Sequence, residues 1–208
     1  MSRQPEFITF TGIDDRTDLT RADKLAGTYP IEWGVLMSSN NRDARFPCIQ
    51  AVAEILQIGG RKSAHLCGAM ARAASYGQLP EALTAGDFNR TQVNGPEVLS
   101  AKLLKACESA GLDLIIQNYG EQFTVSPAAA ELFDRSGGRG LLPETLPDIP
   151  ACGSLVGYAG GIGPETVQGF LSKIHGEGLF WIDMEGRIRT NGWFDLDLVE
   201  EVCRQVYG

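Results

Sequence analysis

The sequence predicts a TIM-like (β/α)8 barrel, and three observations favour this fold class. Short apolar segments alternate with stretches of helical periodicity along most of the chain. Several of these segments are almost continuously apolar, as strands are when helices cover a parallel sheet. Eight such segments in 208 residues give about 26 residues per strand–helix unit, the lower end for an eightfold barrel. An open doubly wound sheet is the alternative, and it usually has fewer strands.

The first four strands are predicted where apolar and β-branched residues cluster and the run stops near a glycine or a polar turn. They are 7–12 (FITFTG), 31–37 (IEWGVLM), 63–68 (SAHLCG) and 91–95 (TQVNG). The same signals predict the last four strands at 112–118 (LDLIIQN), 130–135 (AELFDR), 154–161 (SLVGYAGG) and 180–186 (FWIDMEG). Apolar residues at helical spacing predict the clearest helices at 48–58, 97–110, 167–174 and 196–206.

One interval departs from this regular alternation. The segment 119–129 (YGEQFTVSPAA) is short for a crossover helix and contains Pro127. We therefore expect an eroded helix after strand five, with fewer or shorter helices beyond it.

Composition limits the domain count and the class of partner. The length predicts one domain over residues 1–208, and 43% hydrophobic with 21% charged residues is ordinary for a globular protein. Lys and Arg number 18 against 26 Asp and Glu, a net charge of −8 that argues against nucleic acid or an anionic membrane as partner. No segment approaches the roughly 18 apolar residues of a membrane span.

Cysteine usage and the N-terminus predict a cytoplasmic protein. The five cysteines form no CxxC pair, and the first ten residues (MSRQPEFITF) lack the apolar stretch of a signal peptide. Free thiols in a reducing compartment are therefore expected. Two distant histidines and no clustered cysteines predict no metal site. No Walker motif or complete dinucleotide fingerprint is present, so we expect no cofactor.

The glycines near the end of the chain predict an anion site. In a βα barrel, backbone N–H groups after strands seven and eight commonly bind a phosphate group. Gly160, Gly161, Gly186 and Arg187 occupy these places in the predicted order. The alternative is that Gly160 and Gly161 serve only to form a tight turn.

A set of motifs in conserved order resembles a known family. Segment 8–12 (ITFTG) is similar to a Lys-Ile-Cys-Gly opening, and 92–95 (QVNG) to Gln-Leu-His-Gly. Segment 132–140 (LFDRSGGRG) is similar to Leu-Leu-Asp followed by Gly-Gly-Thr-Gly. Segment 159–167 (AGGIGPETV) is similar to Ala-Gly-Gly-Leu-Thr-Pro-Glu-Asn-Val, and Ile182-Asp183-Met184 to the last strand. Over most of its length the chain thus resembles phosphoribosylanthranilate isomerase, a barrel enzyme of tryptophan biosynthesis that carries out an Amadori rearrangement.

The resemblance implies a set of site residues. Asp134 matches the general acid at the end of strand six, and Thr11 lies where the family has its cysteine base. Arg45 matches a loop arginine that contacts the anthranilate part of the substrate. Polar groups of the substrate would be oriented by a wider set: Arg45, Asn94, Asn118 and Arg139.

The sequence differs from the family motifs at the residues that carry the family's chemistry. Thr11 replaces the cysteine, Asn94 replaces a histidine, and Glu185-Gly186-Arg187 replaces a Ser-Ser-Gly phosphate loop. A threonine hydroxyl is a poor base at neutral pH unless another group activates it. We therefore expect an isomerase-like enzyme for a small phosphorylated or anionic metabolite, working by isomerisation or another proton transfer.

Two other readings of the sequence stay open. The first is a non-catalytic barrel that binds a metabolite or a partner and has lost the isomerase chemistry. The second concerns His65 on strand three, which is either an acid–base group at the barrel mouth or a buried, hydrogen-bonded core histidine. A Schiff-base aldolase is disfavoured because most lysines fall in helices or before strands. The sequence does not indicate the oligomeric state.

Overall fold

The computed structural model describes residues 3–40, 43–84, 86–95, 99–124, 126, 128–137, 139–151 and 153–208. Eight parallel strands close into a barrel in chain order, with β8 hydrogen-bonded back to β1. The strands are β1 Ile8–Thr11, β2 Ile31–Met37, β3 Arg61–Leu66, β4 Arg90–Val93, β5 Asp113–Asn118, β6 Ala130–Phe133, β7 Val156–Tyr158 and β8 Phe180–Met184. The predicted (β/α)8 barrel is confirmed.

Helices follow most of the strands. They are α1 Leu19–Thr28, α2 Ile49–Ile55, α3 Ala69–Ser75, α4 Glu81–Thr84, α5 Ala101–Ser109, α6 Val167–Leu171 and α7 Leu196–Tyr207. The start of the predicted helix 97–110 falls on 97–98, outside the described residues, and Ser100 caps α5 by accepting a hydrogen bond from the Leu103 N–H. None of the described helices is long and apolar enough to cross a membrane.

The helical layer is incomplete after β5, as the sequence predicts. Residues 119–124, 126 and 128–129 contain no helix, and Pro127 itself lies outside the described residues. The described part of the β6–β7 connection also contains no helix. Residues 134–137 and 139–142 of this long connection lie at the carboxyl end of the barrel, where they border the site.

The main apolar core lies between the barrel and its helices. Outward-facing strand residues such as Phe10, Trp33, Tyr158 and Ile182 are fully buried there. A smaller apolar cluster fills part of the barrel interior: Phe7, Ile115, Leu132, Ala159 and Trp181. The free energy of burial thus comes chiefly from the layer between the outer face of the barrel and its helices.

The rest of the barrel interior is polar. Strands β1 to β4 and β8 direct a set of buried polar side chains inward: Thr9, Thr11, Glu32, Ser63, His65, Arg90, Gln92 and Asp183. Buried polar groups require hydrogen-bond partners, and most of these side chains bond to one another. The interior is therefore apolar on the side of β5 to β7 and hydrogen-bonded on the other.

An ion pair in this interior joins β2 to β4. Arg90 donates through Nε to Glu32 Oε2 at 2.8 Å and through Nη2 to Oε1 at 2.6 Å, and Thr9 donates to Oε1 at 2.9 Å. Burial opposes ionisation of Glu32, but the charge and hydrogen bonds of Arg90 outweigh it and hold the pKa of this carboxyl below its usual range. Glu32 is therefore a permanent negative charge inside the barrel.

Two glycines provide space in the interior. A Cβ on Gly34 would lie 2.4 Å from Thr11 Oγ1 and 3.1 Å from His65 Nε2. A Cβ on Gly157 would lie 2.3 Å from the Trp181 ring. Any larger residue at Gly34 would push Thr11 and His65 apart, so this glycine keeps two polar side chains of the upper barrel close together.

A short hairpin closes the last strand against the first loop. It consists of β9 Arg189–Thr190 and β10 Trp193–Phe194. Asp14 accepts from the Phe194 N–H at 2.8 Å and from Arg189 Nη1 at 3.3 Å, and Arg189 also donates to the Gly12 carbonyl. The Arg189 guanidinium is thereby held beside the mouth of the barrel.

We expect Arg90→Met to destabilise the fold strongly, because it leaves the buried Glu32 carboxylate with only the more distant, half-exposed Arg61 at 3.5 Å as a cation. Breaking one side of a buried ion pair costs about 3–5 kcal/mol. Equilibrium urea unfolding of the variant measures the loss. The Glu32→Leu/Arg90→Met double variant should recover a large part of it, and equal losses in the single and double variants would contradict this account.

Candidate active site

A cavity of about 220 Å³ opens at the carboxyl ends of the strands. Its floor contains the ends of β1, β3, β4, β6 and β8, which contribute Thr11, His65, Gln92, Asp134 and Asp183. Loops after the strands form its rim. This is the end at which βα loops build active sites in barrels of this kind.

Asp183 is a buried carboxyl on the floor of the cavity. Thr11 donates its hydroxyl hydrogen to Asp183 Oδ1 at 2.8 Å, a contact that closes the barrel between its first and last strands. Burial raises the pKa of Asp183 to about 8, and the charges of Glu32 and Glu185 act in the same direction against the Thr11 hydrogen bond. Asp183 therefore holds its proton at neutral pH.

His65 lies beside Asp183 without forming an ion pair. Its Nε2 is 4.0 Å from Asp183 Oδ2 and 3.0 Å from Ser63 Oγ. Burial lowers the pKa of His65 to about 4, against the attraction of Glu32. At neutral pH His65 is thus uncharged and Asp183 is protonated. The two neighbouring side chains therefore both lie in the cavity as neutral groups.

Asp134 lies at the end of β6 and lines the same cavity. It is buried, and its Oδ1 accepts from the Ser136 hydroxyl at 2.7 Å and from the Ser136 N–H at 3.2 Å. Strand β7 alone separates β6 from β8, so the backbones that carry Asp134 and Asp183 are about 9 Å apart. Both carboxyls therefore line one cavity from strands that are two positions apart in the barrel.

Four arginines line the cavity in a chain of net charge −8. Arg45 pairs with Asp43 at 2.8 Å and Glu185 at 2.7 Å, and Arg189 pairs with Asp14 at 3.3 Å. Arg139 donates through Nε to the Ser136 carbonyl at 2.9 Å. Neither Arg139 nor Arg187 forms an ion pair with a carboxylate among the described residues, so the excess positive charge lies at the ends of β6 to β8.

Gly160 and Gly161 line the cavity beside this positive charge. Both have positive φ, 104° and 66°, and a Cβ on Gly161 would lie 2.8 Å from the Gly140 carbonyl oxygen and the Leu142 nitrogen. Turn geometry and the close approach of residues 140–142 therefore already require glycine here. No described residue accepts a hydrogen bond from the N–H groups of Gly160 and Gly161, which leaves them available to a ligand.

The structure brings most of the predicted site residues together. Those that line the cavity are Thr11, Arg45, Asn94, Asp134, Arg139, Gly160, Gly161, Gly186 and Arg187. Asn94 donates to the Cys67 sulfur at 3.2 Å and accepts from Gln92 Nε2 at 2.5 Å. The roles of these residues stay predictions, because their positions alone do not test them.

Asn118 does not reach the cavity, contrary to its predicted place. It lies on the outer face of β5, where its Nδ2 donates to Glu131 Oε2 at 2.5 Å and to the Gln122 carbonyl at 2.9 Å. Successive side chains on a strand point to opposite faces, so the neighbouring Gln117 lines the cavity in its place. The predicted residue therefore lies one position along β5 from the residue that lines the cavity.

Sequence reasoning missed Asp183, Gln92, Gln117 and Arg189 as cavity residues. Alternation along the predicted strands was the available signal, because Gln92 shares a face with Asn94. Gln92 Oε1 is buried with no hydrogen-bond donor among the described residues, and the Gln92 side chain lines the cavity. Among the described residues, no group of three or more His, Cys, Asp or Glu is arranged to hold a metal ion.

Fold and cavity together define a (β/α)8 barrel with a polar site at the carboxyl ends of its strands. No protein-family profile and no curated protein sequence matches the chain. Solved structures of phosphoribosylanthranilate isomerases share its fold. The isomerase from Pyrococcus furiosus is 17% identical with a TM-score of 0.63, and the match covers 96% of this chain and 98% of that one. These matches confirm the fold that the sequence resemblance implied.

Two further matches are of the same kind. The isomerase from Thermotoga maritima is 11% identical with a TM-score of 0.61, over 96% of this chain and 97% of that one. A phosphoribosylanthranilate isomerase in complex with reduced 1-(o-carboxyphenylamino)-1-deoxyribulose 5-phosphate is 11% identical with a TM-score of 0.60, over the same shares of the two chains. At these identities the likeness is one of fold.

The buried Asp183 carboxyl predicts a pH-dependent stability. The folded protein keeps this proton to about pH 8, whereas the unfolded chain releases it near 3.8, so the wild type loses stability as pH rises through this range. Asp183→Asn still accepts from Thr11 and has no proton to lose. Its stability relative to the wild type should therefore rise from pH 4 to pH 8 in urea unfolding.

Asp113→Asn, which changes an exposed carboxylate on β5, is the control. It should show no comparable trend. A free-energy difference between Asp183→Asn and the wild type that is constant with pH would mean that Asp183 is ionised in the folded protein.

Proposed function

We propose that this protein is an enzyme that isomerises a small phosphorylated metabolite by proton transfer, in the cytoplasm. One observation carries the proposal: Asp134 and Asp183 face a single cavity whose rim holds Arg139 and Arg187. Two carboxyls in different environments supply a proton donor and a proton acceptor, and the arginines supply an anchor for the phosphate.

Asp183 is the proton donor in this proposal. Its high pKa, about 8, keeps it protonated at neutral pH, and Thr11 holds Oδ1 so that Oδ2 is the oxygen that carries the proton. Asp134 removes a proton from substrate carbon, while Ser136 holds its Oδ1. One proton enters the substrate and one leaves it, so its composition is unchanged, and the two carboxyls then re-equilibrate with water.

Thr11 is a positioning residue rather than a base. Its hydroxyl hydrogen is already donated to Asp183, and a neutral hydroxyl has little tendency to remove a proton from carbon. The absence of the family's cysteine is therefore no obstacle to catalysis, since the carboxyl chemistry does not pass through position 11.

The phosphate anchor combines charge with backbone donors. Arg139 and Arg187 have no ion-pair partner among the described carboxylates, and the N–H groups of Gly160 and Gly161 lie beside them. A ligand carrying a 5-phosphate is bound in one of the isomerase structures that share this fold, which supports a phosphorylated ligand for this barrel. A phosphate monoester bound there would extend toward the two carboxyls.

Proton transfer at carbon can be tested without knowing the substrate. We expect the wild type, incubated with a panel of aldose and ketose phosphates in deuterium oxide, to incorporate deuterium next to the carbonyl of one of them. Asp134→Asn and Asp183→Asn should each lower the rate by about 100-fold or more, the usual contribution of a general acid or base. The wild-type rate should fall as pH rises through about 8, since Asp183 then loses its proton.

The measurement is the deuterium signal by NMR, with Asp113→Asn as a matched control at the amino end of β5, the end of the strand away from the cavity. A non-catalytic metabolite-binding barrel is the alternative, favoured by Thr11 in place of a cysteine. It would bind a phosphorylated compound without incorporating deuterium in the wild type or in either variant.

Phosphate binding has its own test. Arg187→Gln and Arg139→Gln should each weaken the affinity for inorganic phosphate by about fivefold to tenfold in calorimetry, since each removes one charge-assisted hydrogen bond at an exposed rim. Arg204→Gln is the control, because Arg204 lies on α7 away from the cavity. Equal affinities in all four proteins would exclude the proposed anchor.

A further inference from the structure

An ion pair at the mouth of the cavity joins the loop after β2 to the end of β8. Arg45 comes from the loop after β2 and Glu185 follows β8, so 140 residues separate them in sequence. Arg45 Nη1 lies 2.7 Å from Glu185 Oε1, and Arg45 Nη2 lies 2.8 Å from Asp43 Oδ2. Asp43 and Glu185 together raise the pKa of Arg45, which is therefore charged and fully neutralised.

The four arginines of the cavity thus differ in whether a carboxylate neutralises their charge. At the ends of β6 to β8, Arg139 and Arg187 have no carboxylate partner among the described residues. At the ends of β1 and β2, Arg45 is paired with two carboxylates and Arg189 with one. The uncompensated positive charge suits the phosphate, and none remains for a second anion.

We propose that Glu185 is a specificity-determining residue that makes the site select phosphate monoesters whose opposite end carries no carboxylate. The inference rests on the proposed phosphate binding. The carboxylate of Glu185 occupies the hydrogen-bonding position on Arg45 that a substrate carboxylate would otherwise take.

Displacement of Glu185 by a substrate carboxylate is unfavourable for two reasons. Glu185 is tethered to the end of β8, so it competes for Arg45 at a high effective concentration. Even when Glu185 is displaced from Arg45, its carboxylate remains beside the incoming substrate carboxylate. The two negative charges then repel each other in a partly desolvated site. Glu185 is only about a quarter exposed, at 28%, so water screens this repulsion incompletely.

Two matched ligands test the inference by calorimetry at pH 7. One is reduced 1-(o-carboxyphenylamino)-1-deoxyribulose 5-phosphate, and the other is the same compound with phenyl in place of carboxyphenyl. The wild type should bind the carboxylate-free ligand about tenfold more tightly. Glu185→Gln should tighten binding of the carboxylate ligand about tenfold relative to the other, since Arg45 is then free to donate to it. Adding Arg45→Gln to Glu185→Gln should abolish that gain.

The outcomes separate this inference from the proposed function. Equal affinity of the two ligands for the wild type, or a Glu185→Gln effect that is the same for both, would overturn the role of Glu185 and leave phosphate binding intact. If neither ligand binds to the wild type or to Glu185→Gln, both proposals are wrong. A gain for the carboxylate ligand alone that disappears in the double variant supports the inference, and circular dichroism verifies that the variants are folded.

Discussion

The hydrogen bond between Thr11 and Asp183 is the contact on which the site depends. It joins the first and last strands at the point where the barrel closes, and it places a carboxyl in a fully buried position at the floor of the cavity. A carboxyl in that position keeps its proton unless a cation faces it. The nearest candidate, His65, is itself too deeply buried to carry a charge at neutral pH. Burial at the point where the barrel closes thus keeps the proton on Asp183, although the Thr11 hydrogen bond itself favours the ionised form.

The negative charges around Asp183 are maintained by arginines that the fold positions. Glu32 stays ionised because Arg90 pairs with it through two hydrogen bonds inside the barrel. Glu185 pairs with Arg45 at the rim. Both glutamates act on the pKa of Asp183 in the same direction as burial. The two glutamates of these ion pairs therefore help to keep Asp183 neutral, whereas the charge of Arg90 acts in the opposite direction.

The fold was predictable from the sequence because its determinants are local and repeated. Each strand buries its outward face under helices, so the apolar segments and their spacing are visible without tertiary information. The short segment 119–129 likewise showed where a helix is missing. The inward face was harder to read. Asn118 and Gln117 are both polar, and only the register of β5 decides which of them faces the cavity. Asp183 was visible in a motif, but its partner Thr11 lies 172 residues away.

Structures that are 11–17% identical to this chain share its barrel fold. The fold fixes the end of the barrel at which the last residues of each strand lie, but it does not fix which chemical groups those residues carry. This is why the substitution of threonine at position 11 is informative in the structure and was ambiguous in the sequence. Considered without its hydrogen-bond partner, Thr11 is only a poor base at the floor of the cavity. Judged with its partner, it donates to a carboxyl that holds a proton. Asp134 faces that carboxyl across the same cavity. The proposed acid–base chemistry rests on these two carboxyls in unlike environments, and it requires no thiol at position 11.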